Sequence, residues 1–110
     1  MAATIVGPAV LNAGVPGGNS AALNITGAQV IKAGPGLLMR VCISAIGSGG
    51  TLTFNDCLTT GAAAAANQIV SIAQASLALG QVITLEWPCA TGIVVSAFPT
   101  GGAIVSCTFS

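Results

Sequence analysis

Residues 81–110 read QVITLEWPCATGIVVSAFPTGGAIVSCTFS, and this stretch decides the fold. Apolar and β-branched runs are separated by PCATG at 88–92 and by TGG at 100–102. Short runs of this kind, bounded by Gly and Pro, predict three strands at 81–87, 93–99 and 103–109. A three-residue loop at 100–102 is a common hairpin connection, so the last two strands are expected to pair.

The side chains of this expected hairpin fall into two sets. Because successive side chains alternate between the faces of a strand, one face would be apolar, pairing Pro99 with Ala103, Ala97 with Val105, Val95 with Cys107 and Ile93 with Phe109. The other face would pair Ser96 with Ser106 and Val94 with Thr108. A slip of one residue would mix the two sets, so the pattern itself selects the register. In strand 81–87, the same alternation places Ile83, Leu85 and Trp87 together, and Trp87 is expected in the core.

A second hairpin is predicted upstream. Residues 37–46, LLMRVCISAI, would place Leu37, Met39, Val41, Ile43 and Ala45 on the core face. The loop GSGG at 47–50 would return the chain into strand 51–57, with Ile43 opposite Phe54. Asp56 is the one residue that this register places on the wrong face.

The remaining segments are less regular. We expect a short strand pair or one bent strand at 22–33, a loop with one helical turn at 58–66, and a further strand at 67–73. The loop 58–66 is either a contact point for another backbone or an idle surface loop. Together the pattern predicts an all-β protein, an antiparallel β-sandwich or jelly roll of about seven to eight short strands, with a small barrel as the alternative.

The first 21 residues are predicted to form an extended arm ahead of a sandwich domain at 22–110. Gly and Pro interrupt any regular element there, yet the segment is too apolar for a solvated tail. An arm that lies against a neighbouring subunit and an extra edge strand on its own sheet are both compatible with this sequence. The apolar residues that would make the assembly contact are Ile5, Val6, Val10, Leu11 and Val15.

The composition favours association. Hydrophobic residues make up 54% of the chain and charged residues 4%, with a net charge of zero, whereas a typical soluble domain is about 25% charged. We expect much of the surface to be covered by other subunits; the alternative is a monomer with a neutral, hydroxyl-rich coat. No unbroken apolar stretch reaches the ~20 residues of a membrane-spanning helix, and we identify no targeting segment at the N-terminus.

The chemistry-bearing residues do not form a recognisable catalytic set. The chain has no His, which excludes the usual Ser-His and Cys-His mechanisms. Asp56 and Glu86 are the only acidic residues. A glycosidase uses two carboxylates, but nothing beyond the number of acids supports that function here. Two basic residues are too few for a nucleic-acid surface. We therefore expect no catalytic residues, no cofactor and no metal site.

The four cysteines, Cys42, Cys57, Cys89 and Cys107, are expected to be buried or half-buried thiols. One disulfide is the second possibility and metal binding a distant third. A bond between Cys42 and Cys57 is disfavoured because the predicted hairpin leaves them diagonal to each other.

Two segments carry a resemblance to a known class of proteins. NDCLTTGAAAAANQI at 55–69 and LEWPCATGIVV at 85–95 resemble segments of small virion structural proteins of tailed bacteriophages, and the likeness extends over roughly residues 23–110. The resemblance implies a capsid decoration (cement) protein. Such a protein would be a homotrimer or other homo-oligomer on the major capsid protein, assembled in the host cytoplasm into the virion. The alternative is a fibre or adhesin-type binding module, which would need an exposed aromatic platform.

Overall fold

The computed structural model describes residues 18–110, and the predicted assembly residues of the arm lie outside this range. The described chain forms eight strands: β1 (Ser20–Ile25), β2 (Gln29–Lys32), β3 (Gly36–Ala45), β4 (Thr51–Asn55), β5 (Gln68–Ala73), β6 (Val82–Cys89), β7 (Ile93–Ala97) and β8 (Ile104–Phe109). Short 3-10 turns span Thr60–Ala62, Ala65–Asn67 and Gln74–Ser76. β1 therefore begins two residues before the expected start of the sandwich domain at residue 22.

The strands form two four-stranded antiparallel sheets, ordered β1-β8-β3-β6 and β2-β7-β4-β5. We call them the first and second sheet. Among the described strands, β4 and β5 are the one pair that is consecutive in the chain and also adjacent in a sheet. Every other connection crosses between the sheets, which is the connectivity of a jelly roll. The predicted fold class is thereby confirmed.

The core lies between the two sheets. Leu38, Val41, Ile43 and Val105 of the first sheet and Leu52, Phe54, Ile93 and Val95 of the second sheet are at most 1% exposed. Burial of these side chains is the main stabilising contribution, since each buried aliphatic or aromatic side chain gains about 1.5–3 kcal/mol over the exposed state.

Both predicted hairpins are wrong in their pairing. β7 and β8 lie in different sheets, and so do β3 and β4. The predicted faces are nevertheless mostly right, because Val95 and Cys107, like Ile43 and Phe54, do point into one core. Alternation of apolar and polar residues shows which side of a strand is buried. It does not show whether two strands are neighbours in one sheet or face each other across the core, because both arrangements bury the same side chains.

Bulges account for the residues that were placed on the wrong face. Leu38 pairs with Trp87 while Arg40 pairs with Thr84, so β6 carries one extra residue there. Glu86 adopts a positive φ of 50° at this bulge. Beyond it Trp87 lies at the open edge of the sheet and is 47% exposed, which corrects its predicted place in the core. A shift in β3 near Met39 similarly buries Leu38 and leaves Leu37 exposed.

Candidate functional site: edges, faces and clefts of the sandwich

Asp56 acts as a structural brace. It follows β4, and its carboxylate accepts backbone N–H bonds from Ala90 at 2.9 Å, Thr91 at 2.8 Å and Gly92 at 3.0 Å. Burial alone would raise the pKa of Asp56, but the N–H donors of Gly92, Ala90 and Thr91 outweigh it and hold the pKa below its ordinary value. The misfit seen in the sequence therefore marks the residue that fixes the turn between β6 and β7.

Glu86 does not join Asp56 in a cleft. Glu86 is exposed on the bulge of β6 in the first sheet, whereas the Asp56 carboxylate is occupied by the 90–92 turn. Neither acid lines the groove or the cleft described below. The arrangement gives no support to a pair of carboxylates that share a substrate.

Asn55 anchors the alanine-rich connection between β4 and β5. Its Nδ2 donates to the carbonyl of Ala64 at 3.0 Å and to Oδ1 of Asn67 at 2.7 Å, and its Oδ1 accepts from the hydroxyl of Ser96. Asn67 in turn donates to the carbonyl of Ala62 at 3.0 Å. The connection therefore forms two 3-10 turns, where one helical turn was predicted, and is tied to the end of the second sheet.

Sequence reasoning missed the role of Asn55. The side chain is only 2% exposed. The available signal was a pair of asparagines, one at the end of a strand and one after a short alanine run. Either asparagine alone is typical of any turn, so the signal was weak.

The four cysteines are free thiols, as predicted; Cys42 lies in β3 of the first sheet, and Cys57 lies in the connection after β4 of the second sheet. Cys57, Cys89 and Cys107 are buried and Cys42 is half-buried. Burial raises the pKa of Cys89 to about 11, with a further contribution from the negative charge of Asp56. Burial also raises the pKa of Cys107 to about 11. Thiols in this state are weak nucleophiles, because the thiolate is the reactive form.

The described surface carries eight large exposed apolar side chains: Leu23, Val30, Leu37, Ile46, Leu58, Leu79, Val82 and Trp87. Leu23, Leu37, Val82 and Trp87 belong to the first sheet. Leu23 and Val82 are 71% and 55% exposed, and they line a shallow groove of about 190 Å³ that also includes Arg40, Cys42, Ser106 and Thr108. Apart from Arg40, the groove is built from apolar, thiol and hydroxyl groups.

A second cleft, of about 360 Å³, lies at the end of the sandwich beside the loop 47–50. Gln74 lines it and is 6% exposed, and its Oε1 is buried without a hydrogen-bond partner. That oxygen is enclosed by the protein, so it does not present an acceptor to a ligand in the cleft.

Residues 18–110 contain no cluster of three His, Cys, Asp or Glu residues that could hold a metal ion. Within the same range, no helix is both long and apolar enough to cross a bilayer. Comparisons of the chain with protein-family models, with curated proteins and with solved structures found no match.

Proposed function

We propose that this chain is a non-enzymatic structural protein of a phage particle, a decoration subunit that covers and stabilises a larger protein shell. The observation that carries the proposal is the exposed apolar surface of the first sheet. Large apolar patches are uncommon on soluble monomers, and they typically mark sites of protein contact.

The charges of the described surface are consistent with a protein partner of neutral, apolar character. The chain has four charged side chains, those of Lys32, Arg40, Asp56 and Glu86. Of these, the carboxylate of Asp56 is held by internal hydrogen bonds. So few charges cannot provide strong electrostatic steering. Affinity must then come from apolar burial, at about 25 cal/mol per Å² before the cost of ordering is subtracted.

The groove of the first sheet is our candidate for the shell-facing surface. Leu23 and Val82 flank it from the two edge strands β1 and β6, while β8 and β3 form its floor. In that floor the Ser106 hydroxyl accepts the N–H of Asn24 and the Thr108 hydroxyl is buried, so the contact that the groove offers is mainly apolar. The N-terminal arm, with Ile5 to Val15, would add a second contact on a neighbouring subunit.

The copy number of the chain in purified particles tests this proposal. Particles from a culture that carries the coding sequence would be analysed by quantitative mass spectrometry. A decoration subunit should be present in numbers comparable to the major shell subunit. Absence of the chain from the particles contradicts a virion role altogether.

A pair of variants tests the shell-facing groove. Leu23→Asn combined with Val82→Thr makes both flanks polar without touching the core, and it should reduce retention of the protein on particles. Leu79→Asn alters a side chain that is 68% exposed and lies outside the groove, so it serves as the control. Equal retention of both variants would assign the contact to another surface.

One observation favours the alternative, a fibre or adhesin-type binding module that recognises a host glycan. Trp87 is 47% exposed at the edge of the first sheet and is followed by Pro88, so an aromatic surface is available that the sequence register placed inside. A ring of this kind can stack against a sugar. This alternative predicts only a few copies per particle and a change in Trp87 fluorescence on titration with host glycans. Leu85→Trp in a Trp87→Phe background would place the indole in a less exposed position as a control.

A further inference from the structure

The four edge strands of the sandwich differ in how well they are protected from pairing with another chain. β1 and β6 are the edges of the first sheet, and β2 and β5 are the edges of the second. An edge strand presents unpaired backbone N–H and C=O groups, and natural proteins block such edges with bulges, charges, prolines or short length.

Three of these edges carry such protection. β1 is interrupted by a register shift at Asn24, which has a positive φ of 55°. β2 has four residues, a register shift before Lys32, and the charge of that residue. β6 carries the bulge at Glu86, the charge of that residue and Pro88.

β5 lacks these features over most of its length. Its six residues, QIVSIA, include neither a charge nor a proline. Its one irregularity lies at the N-terminal end, where Phe54 pairs with Val70 and Asn55 with Gln68. From Val70 to Ala73 the pairing with β4 is unbroken.

The outward-facing backbone groups of β5 can be assigned from its pairing. Gln74 donates its N–H to the carbonyl of Gly50 at 2.9 Å, and Ala73 lies opposite Thr51. Hydrogen-bonded and non-hydrogen-bonded pairs alternate along an antiparallel ladder. The backbone groups of Ile72 therefore face β4, and those of Ser71 and Ala73 face the free edge.

We propose that β5 pairs with β5 of a second copy of this chain in antiparallel fashion, which joins two second sheets into one continuous eight-stranded sheet. The two-fold axis passes between Ile72 and its counterpart, so Ser71 of each copy pairs with Ala73 of the other through four N–H···O bonds. This register uses only the regular part of β5. A register centred on Ser71 would instead require the irregular Ile69.

The charge pattern selects a second copy as the occupant. A two-fold pair of like edges places both copies of every edge residue in one interface, so pairing of β2 would enclose two Lys32 side chains and pairing of β6 two Glu86 side chains. β5 carries no charge, and the chain has no net charge to oppose association. The pairing closes on itself, because an isologous contact of one edge leaves no further β5 exposed.

This inference names a partner for the decoration subunit and in that sense rests on the proposed function, but its test needs only the isolated protein. A single strand pair is small beside a standard interface of roughly 800 Å² per partner. The fraction of dimer is therefore expected to rise with protein concentration. Subunits that are held close together on a shell should dimerise more readily than free subunits.

Ala73→Pro is the decisive variant. Ala73 has a φ of −64°, which matches the fixed φ of proline, and its N–H faces the free edge, so the domain should still fold. Sedimentation equilibrium at concentrations up to about 1 mM, where contacts with millimolar dissociation constants become populated, should show dimers of the natural protein and monomers of the variant. Ala73→Ser keeps the N–H and is the matched control, which should dimerise like the natural protein.

Hydrogen exchange on the unmodified protein gives a second measurement that needs no variant. The amides of Ser71 and Ala73 should exchange freely in dilute solution and become protected at high concentration, whereas the amides next to Asn24 on β1 should not change. A dimer that survives Ala73→Pro, or a natural protein that remains monomeric throughout the concentration range, overturns the β5 pairing. Either result leaves the copy number in particles, and thus the proposed function, to be decided separately.

Discussion

The backbone N–H of Ser48 donates to the carbonyl of Thr100 over 2.8 Å. Ser48 belongs to the loop that carries the chain from β3 to β4, and Thr100 to the loop from β7 to β8. Thr100 returns an N–H bond to the carbonyl of Gly49 at 2.9 Å. The two crossings between the sheets are thus joined to each other, at the positions where the sequence pattern predicts two hairpin turns.

Gly47→Ala should destabilise this junction. A Cβ at Gly47 would meet the carbonyl oxygen of Thr100 and the side chain of Ala103. We expect a loss of about 1–3 kcal/mol in the free energy of unfolding, as for other overpacked positions, measured by urea denaturation. Gly61→Ala is the control, because a Cβ there meets no atom within 4 Å. An equal effect of the two substitutions would mean that the junction adds little to stability.

Replacement of Asp56 should reveal its contribution through the pH dependence of stability. Because the pKa of Asp56 is lowered in the folded protein, its carboxylate stabilises the fold above the ordinary Asp pKa of about 3.9. That stabilisation is lost as the pH falls through the lower folded value. Asp56→Ala should therefore lower the free energy of unfolding by about 1–2 kcal/mol at pH 7.

The urea midpoints of the natural protein and of Asp56→Ala should approach each other steadily as the pH is lowered into the acid range. Glu86→Gln removes the other carboxylate of the chain at an exposed position, and we expect a change within about 0.5 kcal/mol. A gap between natural protein and Asp56→Ala that stayed constant down to strongly acid pH would show that the three N–H bonds do not depend on the charge.

Asn67→Ala should loosen the alanine-rich connection between β4 and β5. The substitution removes the acceptor for the N–H of Ala64 and for Nδ2 of Asn55. Loss of a partner for a buried amide costs about 1–3 kcal/mol. Elastase, which cleaves after small residues, should then cut within 58–67 faster than in the natural protein. Ala65→Ser, at an exposed position in the same turn, should leave the cleavage rate nearly unchanged.

The thiols should react in the order of their exposure. Cys42 is half-buried, whereas Cys89 and Cys107 are buried and their pKa values are raised to about 11. Under native conditions at pH 8, iodoacetamide followed by peptide mass analysis should label Cys42 first. All four cysteines should react at similar rates in urea. Native labelling of Cys107 before Cys42 would show that β8 opens readily.

Deletion of residues 2–17 tests the predicted arm, which contains Ile5, Val6, Val10, Leu11 and Val15. The described sandwich begins its first strand at Ser20, so the truncated chain should still fold, as judged by cooperative unfolding. If the arm covers a neighbouring subunit, the truncated protein should be retained less on particles. Unchanged retention would exclude the arm as an assembly element.

The sequence predicts the strands and their buried faces well, because alternation reports burial directly. Val95 and Cys107 were correctly assigned to the apolar side, and so were Ile43 and Phe54. Their pairing could not be derived in the same way, since a short Gly-rich loop such as 47–50 can either return the chain within a sheet or carry it across to the other. The hydrogen bonds that join Thr100 to Ser48 and to Gly49 accompany the crossing, and they connect residues far apart in the chain.

The surface features were predictable only in part. Asp56 was recognisable as a misfit on an apolar face, but its N–H donors at 90–92 lie on the far side of two further strands. The exposure of Trp87 depends on the bulge at Glu86, and a positive φ at a glutamate leaves no signature in the local sequence. The unprotected edge β5 becomes apparent only when the order of strands in both sheets is known.

The jelly-roll connectivity also has a kinetic consequence. β1 must find β8 at the opposite end of the described chain, with Ser20 opposite Phe109, and only β4 and β5 can pair through a local connection. Proteins dominated by such distant pairings pay the entropy of closing long loops before contacts form, and they fold over roughly milliseconds to seconds. We expect the β4–β5 pair to form early, so newly made chains would present the uncharged strand β5 to solvent before the second layer of the sandwich has closed over it.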